Sequence, residues 1–190
     1  MQTTMTGGRQ PADNDFPVRF GDEPATGRLP LRQRWQLTCP GTATQMGPAW
    51  REPRRALAKF ILVAQGQEGE IRAVNERALA DARQLVERAH HGRVRFLPAQ
   101  VHTYVDPLQR VPMEPLMFVK TSAPREHLDA ALRELRARGA RMHEVELQGR
   151  GVLLRAEVRL RDLLGLQDAV PSAQVFSWLV RYEPAHLARP

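Results

Sequence analysis

From Ala140 to Leu160 the chain commits to a hairpin with two unlike faces. Gln148-Gly149-Arg150-Gly151 is a turn sequence. After it Val152, Leu154, Ala156, Val158 and Leu160 alternate with Arg155, Glu157, Arg159 and Arg161. Period two sends one set of side chains to a core and the other to water. Such a hairpin needs an antiparallel sheet covered on one side only.

The flanking residues supply the cover. "PLMFVKT", residues 115–121, reads as a short strand. Ser122 can cap a following helix, with Pro124 in its first turn. Leu128, Ala131, Leu132 and Leu135 form its apolar stripe, and Gly139 ends it. "RDLLGLQDAV", residues 161–170, reads as a short helix, irregular at Gly165. "QVFSWLVRYEP", residues 174–184, is the last strand, with Phe176, Trp178, Val180 and Tyr182 on one face. The order from 113 to 184 is β-α-β-β-α-β, the ferredoxin-like split βαβ arrangement. The fold class expected is α+β, with a four-stranded antiparallel sheet and two helices on one face.

Upstream, "RALAKFILVAQ", residues 55–65, is a strand candidate. "GEIRAVNERALADARQLVERAHHG" continues as a helix whose stripe is Ile71, Val74, Ala78, Ala82, Leu85 and Ala89. Gly92 closes it, and "AQVHTYVDP" is a strand ending at Pro107. Residues 1–50 are rich in Gly, Pro, Thr and Asp and show no period, so most of this segment is expected to be disordered. "LRQRWQLTCPG" can add one strand around Trp35 and Leu37. Three parts result: a mostly disordered 1–50, a small α+β domain at 51–112 and a ferredoxin-like domain at 113–186.

Cys39 is the only cysteine, so no intramolecular disulfide forms, and a cytoplasmic protein is expected. No run of 18 apolar residues is present, so no membrane span is expected. The histidines are His90, His91, His102, His127, His143 and His186; none has zinc-ligand spacing to another histidine or the cysteine. They read as surface or helix-end residues. His90 and His91 fall at a helix C-terminus, where the macrodipole favours a cation. Glu144 and Glu146 read as solvated strand residues beside arginines. No nucleophile, base and orienting group come together, so neither an enzyme nor a cofactor is expected.

The run Met113, Glu114, Pro115, Leu116, Met117 resembles the Leu-Glu-Pro-Ile-Met opening of the last domain of elongation factor G and related translational GTPases. The helix ending in arginines and Gly139 resembles the next element of that family. Glu157, Val158, Arg159, Leu160, Asp162, Leu163, Leu164 and Gly165 resemble the motif after its hairpin. Ser177, Val180, Arg181, Tyr182 and Glu183 resemble its closing strand. Residues 58–106 are more distantly similar to a cut-down version of the preceding domain, domain IV. The resemblance implies a ferredoxin-like domain V and the ribosome as partner. No G-x-x-x-x-G-K-[ST] occurs in these residues, so the family's GTPase chemistry does not carry over. Pro107 to Pro112 replaces a longer family segment, and the chain is shorter than the family between Gly165 and Tyr182.

Net charge is +7, nearly all from arginine; Lys59 and Lys120 are the only lysines. An acidic partner such as RNA fits this balance, and so does a plain bias towards arginine codons. The RNA-binding candidates are Arg133, Arg136, Arg138, Arg141, Arg150, Arg155 and Arg159, since guanidinium groups grip phosphate without reading sequence. Arg72, Arg77, Arg83, Arg88, Arg93 and Arg95 form a second set. The plainer reading is a set of ordinary polar faces neutralised by Glu126, Asp129, Glu134 and Glu157. Recognition of single-stranded RNA on the sheet needs outward aromatics on central strands. "RGVLLRAEV" lacks them, and Phe176 and Trp178 are expected to pack against the core. The function expected is non-enzymatic binding of the ribosome or a structured RNA. The alternative is a protein-interaction or self-associating module that pairs through an open sheet edge.

Overall fold

The computed structural model describes residues 29–38 and 59–185. The expected disorder of the rest of 1–50, Cys39 and His186 lies outside them. The protein is α+β, with two antiparallel sheets and few helices.

The second sheet carries the ferredoxin-like order. Its strands are β7 (Pro112–Pro124), β8 (Arg141–Gln148), β9 (Gly151–Arg159) and β10 (Gln174–Pro184), arranged β10-β7-β9-β8. Val152, Leu154, Ala156 and Val158 are all buried, as their period requires. They pack with Met117, Val119 and Ala123 of β7 and with Ala131 and Leu135 of α2 (Leu128–Ala137). Each large side chain sealed this way stabilises the fold by roughly 1.5–3 kcal/mol.

Three differences from the expected pattern have identifiable causes. β7 is 13 residues long because it pairs with β9 and β10 along most of its length. Ser122 therefore stands in the strand, opposite Leu153 and Gln174, and caps nothing. The chain turns instead through a single 3-10 turn at Arg125–His127 that has no side-chain cap. The second helix is two single turns, α3 (Leu160–Leu163) and α4 (Leu166–Ala169), separated by Gly165 at φ 76°. That left-handed backbone is open to glycine at little cost. In β10 the register slips between Leu179 and Arg181, so Tyr182 leaves the face of Trp178 and is buried.

The strands of the first sheet are β1 (Leu31–Leu37), β2 (Phe60–Gln65), β3 (Glu68–Ala73) and β4 (Val94–Phe96). Their order is β2-β3-β1-β4. β1 lies inside the sheet, between β3 and β4, and Leu31 and Trp35 are among its most buried residues. Ile71, expected in a helix, is a β3 residue, because Asn75 stops the strand and starts α1 (Glu76–Ala89). The Ala78 N–H donates to Asn75 Oδ1 at 3.0 Å, a helix N-cap. Ala78, Leu79, Ala82 and Val86 then face the core.

"AQVHTYVDP" divides rather than forming one strand. β5 (Gln100–Val101) pairs with β1, and β6 (Tyr104–Val105) pairs with β7. His102 and Thr103 hand the chain from one sheet to the other. The Asn75 side-chain amide donates to the Ser177 carbonyl at 2.8 Å, and the Gly165 N–H donates to Glu76 Oε1 at 2.9 Å. One continuous set of buried residues includes Trp35 and Ile71 of the first sheet and Met117 and Leu154 of the second.

Candidate nucleic-acid interface

The helix face and the open face of the second sheet hold different arginines. Arg133 and Arg136, three apart on α2, are exposed on the helix side. Arg141 opens β8 and Arg150 sits in the hairpin turn, both exposed. Among the described residues none of these four side chains has an ion-pair or hydrogen-bond partner.

The other three candidates are engaged. Arg138 is half-buried: Nε donates to Glu134 Oε1 at 2.8 Å, and Nη1 donates to the carbonyls of Asp162 and Leu164 at 2.6 and 2.7 Å. It secures the end of α3 and is withdrawn from any surface patch. Arg155 pairs with Glu144 and, at 3.7 Å, with Glu146. Arg159 pairs with Glu114, a buried carboxylate that also meets Arg161 at 3.3 Å. Arg155 and Arg159 lie on the face opposite α2, since the alternate positions Leu154 and Val158 face the helices. The seven arginines therefore do not form one patch. Carboxylates for Arg155 and Arg159 are supplied by the chain itself.

At one end of the sheet Arg141, Arg159, Arg161 and Arg181 surround a groove of about 370 Å³, with Glu157, Asp162 and Glu183 among them. Arg181 meets Glu157 at 3.7 Å and also pairs with Glu183. Three of the four cations are thus matched by carboxylates, and Arg141 is left over among the described residues.

The open face also carries rings, contrary to the expectation that Phe176 and Trp178 pack on the core. Trp178 is 49% exposed and Phe176 42%. Leu179 opposite Met117 takes the core side, so Trp178 and its partner Phe118 point the other way. Their rings stack at 4.8 Å, and His143 continues the row 6.0 Å from Phe118. The signal was present in the sequence: once Met117 and Val119 are assigned inward, Phe118 must face outward.

Of the second set of arginines, Arg88, Arg93 and Arg95 are exposed, and the other three make contacts within the protein. Arg83 lies over the Phe96 ring at 4.8 Å and Arg72 pairs with Glu70. Arg77 reaches across to Phe176, 5.9 Å from the ring centre. Two histidines are buried rather than superficial. His90 packs against Trp35, with ring centres 5.0 Å apart and planes tilted by 41°, and burial holds its pKa below the usual value. His102 is pushed down to about 4 by burial and by the nearby Arg32 and Arg72. Burial, with His91 beside it, disfavours a cation on His90 at this helix end. Among the described residues no three His, Cys, Asp or Glu side chains converge to hold a metal ion. No described helix is long and apolar enough to cross a membrane.

Fold and surface together define a ferredoxin-like α+β protein joined to a second antiparallel sheet. No family model matches the chain, and no curated protein matches it in sequence. A crystal structure of a protein from Thermus thermophilus is similar in fold, with a TM-score of 0.53 at 13% identity. The match covers 82% of this chain and 41% of that one, so this chain spans about two-fifths of its neighbour.

Proposed function

We propose that the chain is a non-enzymatic RNA-binding adaptor of the cytoplasm, acting on the ribosome or another structured RNA. The observation that carries this reading is the set of exposed arginines Arg133, Arg136, Arg141 and Arg150, without carboxylate partners among the described residues. Unmatched guanidinium groups on a rigid helix and hairpin suit phosphate contacts. The ribosome enters through the resemblance of residues 113–184 to the last domain of elongation factor G, without its GTPase loop. Arg138, Arg155 and Arg159 support the scaffold rather than the contact. Sedimentation of the purified chain with ribosomes on density gradients tests the reading. Comigration that weakens steeply with added salt supports it; absence from every ribosomal fraction at low salt overturns the ribosomal assignment.

One observation favours the alternative of pairing through a sheet edge. β8 is an edge strand, and Val145 and Leu147 on it are 47% and 53% exposed. Centring an antiparallel self-pair on Val145 would set Glu144 against Glu146 of the second copy. Like charges directly opposite are destabilising. A different protein with a complementary edge fits better than a second copy. Sedimentation velocity over a wide concentration range separates the two: a salt-insensitive dimer would revive self-pairing.

A further inference from the structure

We propose that the open face of the second sheet binds single-stranded nucleic acid, with unstacked bases packed on the free faces of Trp178 and His143 at the two ends of the ring row through Phe118. The inference uses a face separate from the α2 arginines and stands independently of the ribosomal reading. Three observations converge. The rings cross the sheet in one continuous row, at 4.8 and 6.0 Å, with interplanar angles of 27° and 18°. Phe118 is stacked between the other two rings, so the faces left for bases of any identity are the faces of Trp178 and His143 turned away from it.

Secondly, the row is accessible. Trp178 is half-exposed, the His143 side chain is 37% exposed, and Phe176 extends the apolar surface along β10. Thirdly, the charges left free beside the rings are positive. Glu144, Glu146 and Glu157 are each held by Arg155 or Arg181. Lys120, paired in register with Phe176, has no carboxylate partner among the described residues, nor has Arg77. Arg77 already lies over the Phe176 ring. Free cations interleaved with aromatic faces match a strand whose phosphates and bases alternate.

The same face suits a protein partner poorly. The Arg155–Glu144, His143–Glu157 and Arg181–Glu157 pairs around the rings would be sealed from water in a protein interface, at a desolvation cost. A nucleic-acid interface is wet and leaves them hydrated.

The test is fluorescence anisotropy of a labelled oligouridylate of about a dozen nucleotides, titrated with the full chain at low salt, beside a blunt RNA duplex of equal length. The single strand should bind more tightly than the duplex. Trp178→Leu should weaken that binding about tenfold, and Trp178→Phe should restore most of it. Unchanged thermal melting of both variants shows that the surface alone was altered. No binding of the single strand, equal binding of the duplex, or a Trp178→Leu chain that binds as well as wild type would overturn the proposal. So would concentration-dependent dimers that Trp178→Leu dissolves, since the face would then belong to a second copy. A chain that binds oligouridylate but sediments apart from ribosomes sinks only the ribosomal reading. A chain that binds ribosomes equally with or without Trp178 and ignores oligouridylate sinks only this one.

Discussion

His102 Nδ1 lies 3.0 Å from the hydroxyl of Tyr182, joining the segment between the two sheets to the last strand. Tyr104 packs on the same Tyr182 ring at 5.1 Å. Both His102 and Tyr182 are buried, and Arg32, Arg72 and Glu70 supply the surrounding charge. Burial and two neighbouring guanidinium groups oppose a third cation, so the imidazole is neutral at pH 7.

Stability should therefore fall on the acid side. His102 takes up its proton at about 4 in the folded chain, against 6.5 for the ordinary side chain. Below pH 6.5 the unfolded chain binds a proton that the folded chain refuses, so unfolding is favoured progressively down to about pH 4. The expected loss is about 1–2 kcal/mol, the full linkage being reduced by residual solvent contact. Glu76 works in the opposite sense, since burial raises its pKa and protonation relieves the folded state. Urea denaturation at pH 7, 5.5 and 4.5 of the wild type and His102→Gln isolates the histidine. A parallel decline in both chains would refute its role.

Gly69 faces Trp35 across the β1–β3 ladder. A Cβ there would come within 2.4 Å of the indole ring, which is only 1% exposed. The ring is wedged in the core and cannot swing clear, so Gly69→Ala should cost about 1–3 kcal/mol through overpacking. Thermal melting followed by near-ultraviolet circular dichroism should show a lower Tm and an altered tryptophan signal. An unchanged melt would mean that the indole moves more freely than its burial implies.

Arg138 should behave as a structural residue. Arg138→Ala removes the donor to the Asp162 and Leu164 carbonyls and leaves Glu134 unmatched. A loss of about 1–3 kcal/mol is expected in urea denaturation, with RNA affinity unchanged once the fold is intact. Weaker RNA binding at full stability would return Arg138 to the interface.

What the sequence disclosed depended on how local the cause was. The period-two run from Val152 to Leu160 and the helical spacing from Leu128 to Leu135 are short-range patterns, and both faces were legible. The bounds of β10 were legible too, but its bulge was not, because the slip near Val180 reflects pairing with β7. β1 was nearly hidden. "LRQRWQL" is half polar and sits in a Gly- and Pro-rich stretch. It becomes a strand only because β3 and β4, more than 30 residues away in the chain, pair with its two edges. The arginines illustrate the same limit: Arg136 and Arg138 look alike in sequence, yet the returning chain at Asp162–Leu164 claims only Arg138.

The remaining arginines should carry the long-range electrostatics. Charge reversal of Arg133, Arg136 and Arg141 together alters exposed side chains without partners among the described residues, so folding should be unaffected. Affinity for a structured RNA should fall at low salt. The dependence of binding on salt should flatten by about one unit of log–log slope for each phosphate that is no longer neutralised. Reversal at Arg155 gives the contrasting control, since its guanidinium already pairs with Glu144 and Glu146. That change should disturb the β8–β9 hairpin and leave the salt slope nearly intact. A triple variant with an unaltered slope would place the phosphate contacts elsewhere, and the ring-bearing face with Lys120 would be the next surface to reverse.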